Sequence, residues 1–348
     1  MRALLRIAAA LFGLAAVAAV VFLGDHLLEA YARDRFLRGG ASAGPIRVTD
    51  MGPLPPELRE SSGLAASRAH PGVFWSHNDS GDGPRLYAID TTAALLGVVE
   101  VEGARAVDWE ALGMGPCPAV VQPGAVDAQP GAADAQAGSA DAQARPRWCL
   151  YVADTGNNAR GRRTVGVHVV PEPDPRSGAE SAQALGTVRF TYPDGPEDAE
   201  AVAVTSEGDL VVVTKWGAPH VVLHRILAVD VRRAIAEGDT LRLTPGRELP
   251  ISSDFMLGGV VTGAALDHDD TILAVRTYTQ VHFFEWPLAD TVVDAAPACF
   301  LGGLQVQGEA VELLSDGHAL LSTESPGGTA GRLLAVACAG VGEWEVRE

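Results

Sequence analysis

Charged and polar side chains recur at matching points of five repeats in this sequence. In each repeat, one short apolar run begins at an acidic residue or its replacement, and a second apolar run ends at a polar or charged residue. The residues that begin the first run are Glu60, Glu110, Glu200, Gly263 and Glu309. The residues that end the second run are Asn78, Asp154, Lys215, Arg276 and Glu324. Hard divalent cations prefer oxygen ligands, so these carboxylates and amides indicate a site for Ca²⁺ or Mg²⁺.

Catalysis is the alternative chemistry for the same residues. A carboxylate near a bound cation can act as a general base, and a guanidinium can stabilise developing negative charge. On this hypothesis Glu110 and Glu309 are the base candidates, and Arg276 stabilises the negative charge. The predicted ligand-binding residues are Asn78, Asp79, Lys215, Arg276, Tyr278 and Glu324. Further polar residues lie beside the two sets, namely Asp108, Asp198 and Thr262.

The repeat itself predicts the fold. Its first copy, Glu60–Asp90, contains three strand-like runs separated by clusters of Gly, Pro, Asn and Asp. A fourth apolar run precedes each following copy, and four-stranded units with a period of roughly 40–60 residues are typical of a β-propeller. Five copies favour an all-β propeller of five four-stranded blades. A sixth, degenerate blade within residues 226–254 and a β-sandwich are the alternatives.

A propeller would bring the charged residues together. The first strand of each blade lines the central channel, and the second strand runs antiparallel to it. The start of the first strand and the end of the second therefore lie at the same rim, where connecting loops commonly form binding sites. The strand predicted at Ile46–Met51 would pair into the last blade and close the ring, which would leave no long edge unpaired.

The N-terminus predicts export. Arg2 and Arg6 precede Ile7–Gly24, an uncharged apolar run of 18 residues. Such a run fits a secretory signal peptide or an uncleaved membrane anchor, and the lack of a well-placed cleavage site favours the anchor. Residues 25–45 are predicted to form a tether, and residues 46–348 the propeller domain. We therefore expect a periplasmic or secreted protein, either free or tethered to the inner membrane by residues 7–24.

The cysteines agree with an oxidising compartment. There are four of them, and none forms a C-x-x-C motif. Cys117 and Cys149 flank a low-complexity segment, residues 118–148, which we predict to be a disordered loop with a disulfide at its base. Cys299 and Cys338 are predicted to pair in the last blade, where the bond would stabilise the closed ring.

The charge of the chain argues against one class of partner. The formal net charge is −18 and the pI is about 4.8, without an extended basic cluster. Nucleic-acid binding is therefore not expected. We expect a monomeric ring whose partner is an unidentified small ligand or protein, with the membrane contacted through the N-terminal segment.

The order of the motifs resembles known groups of proteins. The segments ESSGL, NDSG, DWEAL and QGEA resemble those of bacterial exported β-propeller proteins of unknown role. They are also similar to the SdiA-regulated and "esterase-like activity of phytase" propellers, and more distantly to the SMP-30/gluconolactonase/paraoxonase class. The last resemblance implies Ca²⁺ bound by Glu and by Asn or Asp at the channel. Glu60, Asp154 and Asn157 match those ligands, and Glu200 is the fourth metal candidate.

Three functions remain open at this point. The leading hypothesis is an exported propeller that binds a divalent cation, a small ligand or a partner at its charged rim. The alternative is a Ca²⁺-dependent esterase, lactonase or phosphoesterase, in which the cation polarises a carbonyl or phosphoryl oxygen. In the third hypothesis the protein is an interaction scaffold, and the rim charges pair with one another to hold the blades together.

Overall fold

The computed structural model describes residues 46–119, 148–216, 221–251, 258–302, 304–305, 307–325 and 329–341. The predicted signal peptide or anchor, the tether and residues 120–147 of the predicted low-complexity loop lie outside these ranges. In the described part of the chain, no helix is long and apolar enough to cross a membrane.

The described strands form five sheets, and each sheet is one blade of a five-bladed β-propeller. The N-terminal strand of the last blade is β1 (Arg47–Pro53). Blade 1 contains β2 (Ser61–Ala66), β3 (Val73–Asn78), β4 (Arg85–Asp90) and β5 (Leu95–Glu102). The next segment contains β6 (Trp109–Pro116), β7 (Trp148–Asp154), β8 (Val165–Pro171), the short β9 (Ser181–Gln183) and β10 (Gly186–Thr191). Blade 2 consists of β6, β7, β8 and β10.

The third segment contains the described helix of the chain. Its elements are β11 (Ala199–Val204), β12 (Leu210–Thr214), β13 (Val221–Ile226), α1 (Ala228–Glu237), β14 (Thr240–Arg242) and β15 (Arg247–Leu249). Blade 3 consists of β11, β12, β13 and β15. The helix occupies part of the region in which a sixth blade was the alternative, so the prediction of five blades is confirmed.

The last two blades complete the ring. Blade 4 contains β16 (Val261–Leu266), β17 (Ile272–Thr277), β18 (Gln280–Glu285) and β19 (Asp294–Phe300). Blade 5 contains β20 (Gly308–Leu313), β21 (Ala319–Thr323) and β22 (Arg332–Ala337), and β1 is its outermost strand. The pairing of β1 with β22 is antiparallel and runs from Arg47↔Ala337 to Pro53↔Arg332. The N-terminal strand therefore closes the ring, as predicted.

Insertions in two blades cover the outer edges of their neighbours. The short strand β9 pairs in parallel with β5 of blade 1, and β14 pairs in parallel with β10 of blade 2. Helix α1 packs beside β14, with Val231 and Ala234 buried. Asp209 accepts a hydrogen bond from the N–H of Ala228 (2.6 Å) at the start of the helix, and Gly238 ends it with a φ of 73°. Exposed sheet edges are prone to unwanted pairing, so these segments protect blades 1 and 2.

Neighbouring blades pack through apolar side chains. Every residue of β11 and of β12 is buried. Short continuous apolar runs rich in β-branched residues favour strands that are buried on both faces. Trp75 and Trp109 belong to the core between blades 1 and 2 and are 0% and 1% exposed. This packing makes the inner ends of the strands a rigid support for the residues at the channel.

Both predicted disulfides are present. Cys117–Cys149 joins the residue that follows β6 to the start of β7 within blade 2. Cys299–Cys338 joins β19 of blade 4 to the residue that follows β22 of blade 5. The prediction that this second bond lies within the last blade was wrong, because the fourth strand of blade 4 includes Cys299. Two disulfides are typical of proteins in oxidising compartments.

Glu312 is a buried acid near the end of β20. Burial raises the pKa of its carboxyl group from an ordinary value of 4.5 to about 7, whereas Arg68 and the N–H groups of Ala66 and Leu313 lower it. The folded chain therefore binds this proton more tightly than the unfolded chain. Stability from this group is present below the unfolded-state pKa and is lost as pH rises through the folded-state pKa.

Replacement of Glu312 by glutamine should remove this pH dependence. Relative to wild type, we expect Glu312→Gln to gain about 3 kcal/mol in the free energy of unfolding between pH 4.5 and pH 8, at 1.36 kcal/mol per pKa unit. Urea unfolding of both proteins across that range measures the difference, with the exposed Glu285→Gln as the matched control. A stability difference that stays constant with pH would contradict the prediction.

Candidate functional site

The end of the channel at which the first strands begin, hereafter the mouth, has a β-bulge in every blade. The first residue of each innermost strand pairs with the end of the second strand, and the pairing then shifts by one residue. The residues that directly follow the first paired residue, within the bulge of each blade, are Ser62, Glu110, Glu200, Thr262 and Glu309. All five residues are buried. The bulges place three glutamates, from blades 2, 3 and 5, at equivalent points around the channel.

This register differs slightly from the predicted one. In blade 1 the position equivalent to Glu110 is occupied by Ser62, not by Glu60. In blade 4 it is occupied by Thr262, not by Gly263. A bulge inserts one residue into one strand of a pair, and nothing in the local composition marks which residue it is.

Three carboxylates from two neighbouring blades form a group at the mouth. Asp79 follows β3 of blade 1, whereas Asp108 and Glu110 lie at the start of β6 in blade 2. One carboxylate oxygen of each residue lies within 4.8 Å of the corresponding atoms of the other two. Asp79 was predicted to bind ligand and Glu110 to be catalytic, and the structure places both in one group with Asp108.

Gly156 leaves open the space beside this group. Its N–H donates a hydrogen bond to the carbonyl oxygen of Asp108 (3.1 Å). A Cβ atom at this position would lie 2.4 Å from Oε1 of Glu110 and 2.5 Å from Oδ2 of Asp108. In blade 3 the same backbone hydrogen bond is made by Lys215, whose N–H donates to the carbonyl oxygen of Asp198 (2.9 Å). The missing side chain therefore distinguishes blade 2 from blade 3.

Glu110 is buried, and among the described residues its carboxylate receives a single, long hydrogen bond. The hydroxyl of Ser62 lies 3.3 Å from Oε2 of Glu110, and no lysine or arginine of the described chain forms an ion pair with it. Burial raises the pKa of Glu110 to about 11, and the negative charges of Glu200, Asp79 and Asp108 add to this effect. A cation among these carboxylates would reduce their mutual repulsion and favour the ionised form of Glu110.

Two other acids of the mouth have strong donors. Lys215 forms an ion pair with Glu200, and Tyr278 donates a hydrogen bond to Glu309. Burial raises the pKa of Glu200 to about 8, although Lys215 acts in the opposite direction. Burial also raises the pKa of Glu324 to about 7, and the charge of Glu309 adds to this shift. These interactions show that the predicted residues of blades 3, 4 and 5 share one electrostatic environment.

The predicted metal ligands Asp154 and Asn157 are used to hold a loop. Asp154 forms an ion pair with Arg162 (2.9 Å) and accepts a hydrogen bond from the N–H of Asp108 (3.0 Å). The side chain of Asn157 donates to the carbonyl oxygens of Arg162 (2.9 Å) and Glu197 (3.0 Å), and it accepts from the N–H of Arg162 (2.8 Å). Their polar atoms are therefore engaged within the protein.

The remaining predicted metal ligands are also apart from the carboxylate group. Glu200 lies at the mouth but is paired with Lys215, and Glu60 has an exposed side chain. Asn78, predicted to bind ligand, accepts a hydrogen bond from the N–H of Glu60 (2.9 Å) and donates to the carbonyl oxygen of Glu57 (2.9 Å). The predicted set Glu60, Asp154, Asn157 and Glu200 thus does not form a single group.

Arg276 is fully buried between blades 4 and 5. Its equivalent in blade 1 is His77, whereas the sequence repeat had aligned it with Asn78. Because adjacent residues of a strand point to opposite faces, this shift of one residue turns the side chain of Arg276 to the other face of the blade. Its guanidinium donates hydrogen bonds to the carbonyl oxygens of Ala310 (2.6 Å) and Ser322 (2.9 Å) and to Oε1 of Gln305 (2.7 Å). This position gives no support to the predicted contact with a ligand.

No protein-family model matches the sequence, and a search of curated proteins finds no match. The PQQ-bound aldose sugar dehydrogenase from Streptomyces coelicolor is 12% identical, with a TM-score of 0.44, over 84% of this chain and 98% of that chain. A glucose dehydrogenase is 15% identical, with a TM-score of 0.45, over 84% and 100% of the two chains. A gluconolactonase from Xanthomonas campestris is 13% identical, with a TM-score of 0.38, over 86% and 82%. Similarity at this level carries no information about activity or ligands.

Proposed function

We propose that this protein binds a divalent cation at the mouth through Asp79, Asp108 and Glu110, and that the bound cation holds a small ligand or partner. The observation that carries this proposal is the grouping of three carboxylates from two blades within 4.8 Å. Two oxygens that each lie about 2.4 Å from one Ca²⁺ ion are at most about 4.8 Å apart. The three side chains therefore fit a shared cation with little rearrangement.

The surroundings of the group support the same function. Gly156 provides space next to Glu110 and Asp108, where any larger residue would place a carbon atom. All three side chains offer hard oxygen ligands, which suit Ca²⁺ better than a transition metal. Three monodentate carboxylates leave several coordination positions of Ca²⁺ for water or for oxygens of a ligand. A ligand with hydroxyl, carbonyl or carboxylate oxygens could occupy those positions.

The hydrolase alternative has less support from this geometry. Glu110 would be a cation ligand and could not act as a free base, and Arg276 donates its hydrogen bonds to blade 5. Glu309 remains as a base candidate, since its carboxyl group lies beside Tyr278. Turnover of lactones, aryl esters or phosphate esters by the Ca²⁺-loaded protein would restore this alternative.

The cation site can be tested by titration of chelator-treated protein with Ca²⁺ and Mg²⁺. We expect one Ca²⁺ per chain by isothermal titration calorimetry, and about 2.7 kcal/mol of added stability at a concentration 100 times the Kd. Glu110→Gln should weaken binding on the order of 100-fold, equivalent to about 2.8 kcal/mol. Gly156→Ala should weaken it as well, because the added methyl group occupies the space beside both carboxylates.

Glu237→Gln is the matched control for these variants, because it makes the same chemical change at an exposed position of α1. It should bind Ca²⁺ as the wild type does. Wild-type protein that binds neither ion, with a melting temperature unchanged by either, would rule out the proposed function. Equal affinities for wild type and Glu110→Gln would assign the cation to other residues.

A further inference from the structure

Lys215 is the only lysine in a sequence with 26 lysine and arginine residues. Elsewhere in the described chain, two buried aspartates pair with arginine, in Arg162–Asp154 and Arg225–Asp209. Arginine is also the better partner for a carboxylate, because its planar fork can donate two parallel hydrogen bonds. An ion pair with Glu200 therefore does not by itself explain a lysine at this position. Lysine offers instead a compact charge with three donors, similar in shape to a small cation.

The position of Lys215 in the repeat indicates what this compact charge does. Blade 2 has an Asp-x-Glu segment, Asp108 to Glu110, and blade 3 has the same segment at Asp198 to Glu200. Both glutamates occupy the bulge of their blade. The N–H of Gly156 donates to the first acid of blade 2, and the N–H of Lys215 donates to the first acid of blade 3. The two blades therefore repeat one backbone hydrogen bond, made by a glycine in one copy and by a lysine in the other. The chain of blade 2 has one more residue before this point, since Gly156 lies two residues after the paired Asp154 and Lys215 lies one residue after the paired Thr214.

In blade 3, the residue that makes this backbone hydrogen bond carries a long side chain with a charged end, whereas Gly156 carries none. The ammonium group contacts Glu200 and lies 3.4 Å from Oδ1 of Asn158. Its side chain is 13% exposed, and that of Glu200 is 5% exposed. Oδ2 of Asp198 is buried and has no hydrogen-bond partner within the described residues. A buried carboxylate oxygen without a donor is costly, so it is available to a cation.

The charge of Lys215 acts on much of the mouth. Burial raises the pKa of five carboxyl groups there, and the positive charge of Lys215 lowers the pKa of each of them. The five groups are Glu110, Asp198, Glu200, Glu309 and Glu324. Lys215 is therefore a counter-ion for several acids rather than for Glu200 alone.

We propose that the ammonium group of Lys215 occupies a second cation position of the mouth, formed by Asp198 and Glu200 as the blade 3 copy of the divalent site in blade 2. This inference rests on the proposed function, because it assumes that the site of Asp79, Asp108 and Glu110 binds a divalent cation. The mouth then holds one exchangeable divalent cation and one cation that is covalently part of the chain. Removal of the lysine side chain should open the second position to a divalent cation.

The number of Ca²⁺ ions bound per chain tests this inference. Lys215→Gly reproduces the glycine of blade 2, and we expect it to bind two Ca²⁺ ions where the wild type binds one. Lys215→Arg retains a tethered charge and should still bind one. Equilibrium dialysis with elemental analysis gives the numbers, and the variant should also show a larger rise in melting temperature with Ca²⁺ than the wild type.

A second variant covers the case in which Lys215→Gly does not fold. Lys215→Ala removes the ammonium group and most of the side chain but keeps the Cβ atom that this position already carries. Two Ca²⁺ ions bound to folded Lys215→Ala support the inference, and one ion overturns it. The two proposals fail separately: a wild type without bound Ca²⁺ removes the proposed function, whereas one ion in both wild type and Lys215→Gly removes only the second position.

Discussion

Replacement of Arg276 by methionine should lower the free energy of unfolding by about 4 kcal/mol, the range found when one partner of a buried charged interaction is removed. The guanidinium donates to the carbonyl oxygens of Ala310 and Ser322 and to Gln305, and all of these contacts are buried. Burial lowers the pKa of Arg276 to about 10, so the group remains charged at neutral pH. Methionine would fill the volume but remove the guanidinium donors of three buried acceptors, and a buried acceptor left without any donor costs roughly 1–3 kcal/mol.

The space for this arginine depends on Gly308. A Cβ atom on Gly308 would lie 1.7 Å from Nη2 of Arg276, so a side chain there and the guanidinium cannot coexist. Gly308→Ala should therefore also destabilise the protein, although it removes no hydrogen-bonding group. The two substitutions should not be additive, because both act on the same contact between blades 4 and 5.

Urea unfolding measures these effects, with Arg233→Met as the control. The guanidinium of Arg233 lies on α1 in an exposed ion pair with Asp230, for which a change below about 0.5 kcal/mol is expected. Arg276→Met should also retain the wild-type stoichiometry of Ca²⁺ binding. A loss of Ca²⁺ binding with unchanged stability would instead assign Arg276 to the ligand site, as the sequence had suggested.

Removal of the Cys299–Cys338 bond should cost a similar amount. The bond closes a loop with a sequence separation of 39 residues, for which the chain-entropy model gives a contribution of about 4 kcal/mol. It also joins two blades, so it limits the separation of blade 5 from blade 4 at the point where the ring closes. The double variant Cys299→Ala/Cys338→Ala should therefore unfold at a lower urea concentration than the wild type.

The Cys117–Cys149 bond provides the comparison for this prediction. Its sequence separation is 32 residues, so the chain-entropy contribution is nearly the same, but the bond lies within blade 2. By the entropic argument, both double variants should lose comparable free energy of unfolding. Reducing agent should lower the stability of each variant only through the one disulfide that it still contains. A change below about 1 kcal/mol for Cys299→Ala/Cys338→Ala would show that packing alone holds blades 4 and 5 together.

Much of the fold follows from local signals in the sequence. Apolar runs separated by turn residues indicate the strands, and their fivefold recurrence indicates the number of blades. The strand at the N-terminus and the two disulfides follow from the need to close a ring and from cysteine spacing. The short parallel strands β9 and β14 were not predicted, because each pairs with a blade other than its own and has only three residues.

The site was predicted in composition but not in detail. The recurrence of acids at the starts of first strands correctly indicated an acidic channel mouth, and Asp79 and Glu110 were among the predicted residues. The set Glu60, Asp154, Asn157 and Glu200 was not brought together as a metal group. A comparison of the Asp-x-Glu segments that begin at Asp108 and Asp198 would have predicted the carboxylate group better. Among the five repeats, only those of blades 2 and 3 have this spacing at the start of the first strand.

The sequence by itself determined that this chain is a five-bladed ring and that acids gather at one end of its channel, since both results depend only on repeated local patterns. The tertiary structure decided which acids meet, because the bulges set the register and the junction of blades 1 and 2 places Asp79 beside Asp108 and Glu110. It also decided that Arg276 is buried, that Gly156 leaves a space, and that Lys215 makes the same backbone hydrogen bond in the next blade. Such contacts join residues that are distant in the chain, and a shift of one residue in a strand reverses which side chains can make them.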